Sequence, residues 1–108
     1  MSMIKVNYNK TVNVSKTLFS LNLDGHAGYN PGNDIVCAGV SALIETLISL
    51  LEDDEEISIF EESGDVSIEG TIDNIDIEKY LEFAITGIKG ISMTYPEHVD
   101  FKEQIKYL

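Results

Sequence analysis

Hydrophobic residues in this chain recur with two periods, and the order in which the periods follow one another limits the fold to few options. Residues 3–8 and 12–23 alternate between apolar and polar side chains, as half-buried strands do. Asn9 and Lys10 read as the turn between them, with an irregularity near Ser15 and Lys16, so the start of the chain predicts a β-hairpin. Residues 24–34 carry three Gly and one Pro and predict a loop. Asn33 or Asp34 can cap a helix that runs to about Leu51. That helix is apolar nearly all round, which predicts burial on more than one side. Ala38, Gly39 and Ala42 are small enough to let another backbone approach, although Gly39 costs the helix about 1 kcal/mol relative to Ala.

The second half follows the same order. Five consecutive acids, 52–56, read as a solvated helix exit, where their charge opposes the helix dipole and predicts fraying. Residues 57–61 and 65–72 alternate across a turn at Ser63-Gly64-Asp65, a second hairpin. Asp73-Asn74 or Asp76 caps a second helix, 76–94, with Ile77, Leu81, Ile85 and Ile88 on one face. Gly87 and Gly90 weaken its end, Tyr95-Pro96 breaks it, and a short strand or tail closes the chain. The predicted fold is α+β: a two-layer sandwich in the order β-β-α-β-β-α, with a mostly antiparallel sheet and both helices on one face. The other face of the sheet is left wet or for a partner.

A length of 108 residues predicts one domain spanning 1–108. With a single cysteine, Cys37, no internal disulfide forms, as suits a reducing compartment. No long apolar run opens the chain, and residues 35–51 are too short and too polar for a membrane span, so a cytoplasmic protein that avoids membranes is expected. The formal charge is −12; all seven basic residues are Lys, and none lies between Lys16 and Lys79. Such a surface repels phosphate backbones, which disfavours nucleic acid, and attracts basic proteins. No Cys or His cluster has metal-ligand spacing, and neither a phosphate-binding loop nor a dinucleotide fingerprint is present, so neither a metal nor another cofactor is expected.

Chemistry concentrates around Cys37. The residue falls in the first turn of the predicted helix, where backbone N–H groups have no acceptor within the helix and the dipole favours negative charge. Both effects favour a thiolate, and the same N–H groups suit an oxyanion. A lone Cys also packs simply as a small hydrophobe. His26 lies eleven residues upstream, where the second strand enters the Gly-rich loop. A His at a strand end can meet a Cys at the following helix start and activate it by proton transfer. Asp34 can orient that imidazole or cap the helix, and the two uses do not exclude each other. Ser41, one turn beyond Cys37, can hydrogen-bond near the site or back to a helix carbonyl. His98, near the end, reads as a surface residue.

The run Gly25-His26-Ala27-Gly28-Tyr29, followed by Asp34-Ile35-Val36-Cys37-Ala38-Gly39-Val40-Ser41-Ala42-Leu43, closely resembles the ribosomal-processing cysteine protease family, Prp. The family pattern is a G-H-A loop and then a D-I-V-C-A-A-V-S-A-L helix start. Gly39 replaces the second Ala of that run, and Tyr95-Pro96 also matches. The resemblance implies a cysteine endopeptidase that removes a short N-terminal extension from large-subunit ribosomal protein twenty-seven, next to a Phe-containing motif. It also implies a homodimer and a substrate loop over the site, on which Gly25, Ala27, Gly28 and Tyr29 fall. The family's catalytic His falls on His26, its nucleophile on Cys37 and its supporting Asp on Asp34. The alternative is a non-catalytic ribosome-assembly or adaptor protein of the same fold that binds a basic ribosomal protein.

Overall fold

The computed structural model describes residues 3–25 and 35–108. Five strands and two helices follow one another as β1 (Ile4–Val12), β2 (Thr17–Asp24), α1 (Ile35–Leu51), β3 (Ile57–Glu62), β4 (Asp65–Ile72), α2 (Ile75–Thr94) and β5 (Val99–Tyr107). The strands form one sheet in the order β3-β4-β2-β1-β5. Every neighbouring pair is antiparallel except β1 with β5. Parallel neighbours need a long crossover, and here β2, α1, β3, β4 and α2 all lie between the two in sequence.

Alternation places one set of side chains from each strand under the helices. Tyr8, Leu21, Ile68 and Ile59 face one another across β1, β2, β4 and β3, and the next row holds Val6, Leu23 and Val66. Val6, Leu21 and Ile68 have no exposed surface. α1 lays Val36, Val40, Ile44, Leu47, Ile48 and Leu51 on this layer, and α2 adds Ile77, Leu81, Ala84, Ile85 and Ile88. Each spacing is that of a single helical stripe. Fully burying one such aliphatic side chain contributes about 1.5–3 kcal/mol. The opposite face of the sheet carries Lys5, Asn7, Asn9, Asn22, Ser67 and Glu69, together with the exposed Phe60, and is therefore largely polar.

The structure differs from the sequence reading in four places. β1 continues through Asn9 and Lys10 to Val12, and the hairpin turns instead at 13–16, where the Asn13 N–H donates to the Lys16 carbonyl at 2.9 Å. Asn9 fits on the polar face. Lys10, on the helix side, runs its stem along the layer and pairs with Glu78 at 3.5 Å. The closing segment is a nine-residue strand rather than a short one. α1, although apolar on most sides, buries one stripe and leaves Ile35 and Leu50 about half exposed. The acidic run after it is held in a turn, because the Asp54 carboxylate accepts the Glu56 N–H at 2.8 Å. Of the alternative caps for α2, Asn74 is the one used; its side chain accepts the Ile77 N–H at 3.1 Å. Among the described residues no helix is long and apolar enough to cross a membrane.

Two outcomes follow for stability. Leu21→Ala empties the centre of the sheet layer and should cost about 3 kcal/mol in urea unfolding, against less than about 0.5 kcal/mol for the exposed Asn7→Ala. Tyr8 is buried, and burial first, then the carboxylates of Glu103, Glu78 and Glu82, pushes its hydroxyl up to about 12 from 10.0. The folded state thus holds this proton more tightly than the unfolded state does. The corresponding stability is complete below pH 10 and is lost as pH rises toward 12. Tyr8→Phe should remove that part of the alkaline fall in the urea midpoint.

Candidate active site

The site lies where β2 ends and α1 begins. β2 stops at Asp24, and Gly25 takes φ +98, a backbone conformation that L side chains rarely adopt. Its N–H donates to the Gly64 carbonyl in the β3–β4 turn at 2.8 Å. A Cβ at this position would stand 2.5 Å from the Met3 carbonyl oxygen. Glycine is therefore required on two counts, and the exit point of β2 is fixed between the start of β1 and the β3–β4 hairpin.

α1 then brings Cys37 to the same place. Val36 and Val40 are buried on the sheet, and these two anchors set the rotation of the helix's first turns. Cys37, in the first turn, is half-buried and packs beside the core. Gly25, Cys37 and Ser41 line one cavity of about 220 Å³. Ser41 is exposed and lies one turn along α1 from Cys37, as its spacing predicts. His26, Ala27, Gly28, Tyr29 and Asp34 lie outside the described residues.

Beyond the cysteine the cavity has an apolar floor of Leu23, Val40, Ile44 and Val66. Its walls are acidic. Glu45 comes from α1, Glu61 from β3, and Glu62 and Asp65 from the ends of β3 and β4. Glu61 raises the pKa of Glu45, first by accepting a hydrogen bond from its protonated form; burial and the repulsion of the Glu61 charge add to this. Asp65 is raised in the same way, chiefly by its hydrogen bond with Asp24 and then by that residue's charge. Sequence reasoning passed over these acids. Glu45 was within reach of it, since it stands four residues past Ser41 and eight past Cys37 on one helical line. Glu61 was within reach too, since it continues the alternation of Ile57 and Ile59 onto the face that meets the helices; the register then places it beside Val66. His98, read as a surface residue, is half-buried, and its backbone carbonyl accepts the Ile4 N–H at 2.9 Å.

The arrangement is that of a thiol in the first turn of a helix, lining a cavity with an apolar floor and acidic walls. Residues 3–100 match the family model of the cysteine protease Prp. The chain belongs to the Prp cysteine protease family. Its fold is also that of solved Prp structures. The essential ribosomal processing protease Prp from S. aureus, in complex with a covalently linked product peptide, superimposes with a TM-score of 0.73 at 25% identity, covering 91% of this chain and 98% of that one. The same enzyme with a substrate peptide gives 0.71 at 27%, covering 94% and 99%. SMU.848 from Streptococcus mutans gives 0.67 at 26%, covering 97% of each chain. A comparison with curated proteins finds no match. Gly39, where the family pattern has Ala, sits opposite Ile91 of α2; a Cβ there would lie 3.1 Å from the Ile91 Cδ1.

A half-buried thiol at a helix N-terminus should react while the protein is folded. Iodoacetamide at neutral pH is expected to add one carbamidomethyl group, at Cys37, faster than it alkylates glutathione, as read by intact-mass spectrometry. An adduct that forms only after urea is added would mark Cys37 as a sealed core residue.

Proposed function

We propose that this chain is a cytoplasmic endopeptidase of 108 residues acting as one domain, and that it removes the short N-terminal extension of large-subunit ribosomal protein twenty-seven beside a Phe-containing motif. The observation that carries the reading is the cavity shared by Cys37 and Gly25. Its weight comes from the sequence, because His26 is the next residue after Gly25. Family membership supports the chemistry, and the peptide complexes of the S. aureus enzyme support an extended peptide as substrate. A net charge of −12 suits a basic ribosomal protein and disfavours direct contact with nucleic acid.

In the mechanism we assign, His26 takes the Cys37 proton and the thiolate attacks the scissile carbonyl carbon. The negative charge that moves to the carbonyl oxygen is met by backbone amides at the start of α1 and by the positive end of the helix dipole. The C–N bond then breaks, and His26 returns its proton to the leaving amine. A thioester remains on Cys37. Water, deprotonated by His26, attacks it and releases the extension peptide. Asp34 acts on the orientation of His26, and Ser41 lies beside the reacting thiol. Leu43, Leu50, Tyr80 and the largely exposed Phe83 make an apolar strip along the α1–α2 seam, and we assign it to a second copy of the chain.

The test is incubation of the purified protein with a peptide spanning the extension junction, read by mass spectrometry. The unaltered protein should cut one bond, Cys37→Ala should cut none, and Asp34→Asn should slow turnover by less than about tenfold. An intact peptide that nevertheless binds would favour the adaptor reading. Equal loss in both variants, with the fold intact, would mean that Asp34 takes a larger part.

A further inference from the structure

We propose that β5, one edge of the sheet, pairs antiparallel with the β5 of a second copy of the chain about a two-fold axis at Glu103, so that Asp100 of each copy meets Lys106 of the other. The contact uses none of the residues of the apolar strip along the α1–α2 seam, and it does not rest on the protease reading.

The sheet has two edges, β3 and β5. An edge strand presents a row of N–H and C=O groups to which another strand can bond. The ends of β5 show which residues carry them. The His98 carbonyl accepts the Ile4 N–H at 2.9 Å, and the Leu108 N–H donates to the Val12 carbonyl at 2.8 Å. The even-numbered residues therefore turn their backbone groups toward β1. Those of Phe101, Glu103, Ile105 and Tyr107 point away from the sheet, and among the described residues no strand pairs with them. This edge is nine residues long, against six for β3, and Ile105 and Tyr107 leave apolar surface exposed along it.

Charge decides which edge can meet its own copy. At a net charge of −12, two copies repel each other over most of their surfaces. β3 adds to the repulsion, because its charged residues are Glu61 and Glu62. β5 is neutral: Lys102 and Lys106 balance Asp100 and Glu103. Lys106 takes part in none of the ion pairs found among the described residues.

The register follows from the pattern of residues. An axis at Glu103 pairs all nine residues of the strand. Val99 then lies opposite Tyr107, and Phe101 opposite Ile105, on the side of the sheet that carries the helices. On the other side Asp100 lies opposite Lys106, twice by symmetry, and Lys102 opposite Gln104. The hydrogen-bonded pairs are the odd-numbered ones, as the outward backbone groups require. Asp100 and Lys106 fall on a non-bonded pair, where side chains approach most closely and Cα atoms are about 4.5 Å apart. Moving the axis to Lys102 sets that lysine against its own copy, and moving it to Gln104 sets Lys102 against Lys106. Neither leaves Asp100 opposite a lysine. One like-charge pair remains, Glu103 with its copy, and in each subunit Lys89 of α2 stands 3.8 Å from that carboxylate. Asp100 already has Lys102 at 3.9 Å within its own strand, and Lys106 of the other copy adds a second cation. The result is one continuous sheet running through both copies, in an isologous contact that closes on itself.

The test is self-association of the full chain, measured by sedimentation equilibrium over a concentration series. Four proteins are compared: the unaltered chain, Asp100→Lys, Lys106→Asp and the double variant. Each single variant turns two attractions into two repulsions and should weaken the contact about tenfold or more. The double variant exchanges the signs and should associate as the unaltered chain does. A one-to-one mixture of the two single variants should associate as well, since each supplies the charge that the other lacks. Where the contact forms, the mass should be about twice that of a single variant alone. That means two copies against one if the α1–α2 seam is open, and four against two if a further copy covers it. Amide exchange at Phe101, Glu103 and Ile105 should slow with concentration in the unaltered chain and not in either single variant. Asp100 and Lys106 lie on the polar face of the sheet, so the fold should survive, as circular dichroism would verify. A monomer at every concentration, a mass that neither single variant lowers, or a loss that neither the double variant nor the mixture restores, overturns the proposal.

Discussion

The seating of α1 on the sheet fixes the position of Cys37, and most of what the molecule can do depends on it. Val36 and Val40 are buried in the same core as Leu21, Leu23 and Ile68, and their burial sets the rotation of the helix's first turns. Cys37, between them in sequence, is turned by one helical step toward the end of β2. There Gly25, held by Gly64 and crowded by Met3, fixes where the chain leaves the sheet. Two elements thus bring a thiol and a strand end to one cavity. Sites built this way keep their geometry because the supporting residues are packed in the core.

Charge is arranged on the same frame. The helix-facing layer of the sheet is apolar at its centre and turns acidic at its β3 margin, where Glu61 follows Leu23 and Val66 in one row across the strands. The acids at this end are drawn from β2, β3, β4 and α1, so their proximity belongs to the fold and not to a local run of sequence. The local run that does exist, 52–56, lies in the turn after α1, and Asp54 is used there to hold the backbone. Net charge therefore understates the difference between these groups. One set shapes a turn, and the other faces the groove beside the cysteine.

Much of this was legible from sequence because both hairpins and both helices have clean periods. The strands 57–62 and 65–72 and the helix 75–94 fall within a residue or two of their predicted bounds. The first hairpin turn was misplaced because Asn9 and Lys10 are turn-forming types that here occupy opposite faces of a strand, with Lys10 paired to a glutamate on α2. β5 was underread because a parallel partner so distant in sequence leaves no local signal, although its alternation (Val99, Phe101 against Asp100, Lys102) is plain once the register is known. At the site, the cysteine and its glycine-rich approach stand out by type and spacing. Glu61 is less plain: alternation with Ile57 and Ile59 gives its face, but its place in the same row as Leu23 and Val66 comes only from the order and register of the strands.

Nucleophilic attack by Cys37 requires a covalent acyl intermediate on its sulfur. Rapid mixing with the junction peptide, quenching in acid and intact-mass spectrometry with fragment mapping would observe it directly. The expected result is a transient mass increase equal to the extension peptide minus water, carried by Cys37 and decaying as free extension appears. Cleavage with no adduct at any time point, where quenching is faster than turnover, or an adduct on any other residue, would contradict the assignment of Cys37 as the nucleophile.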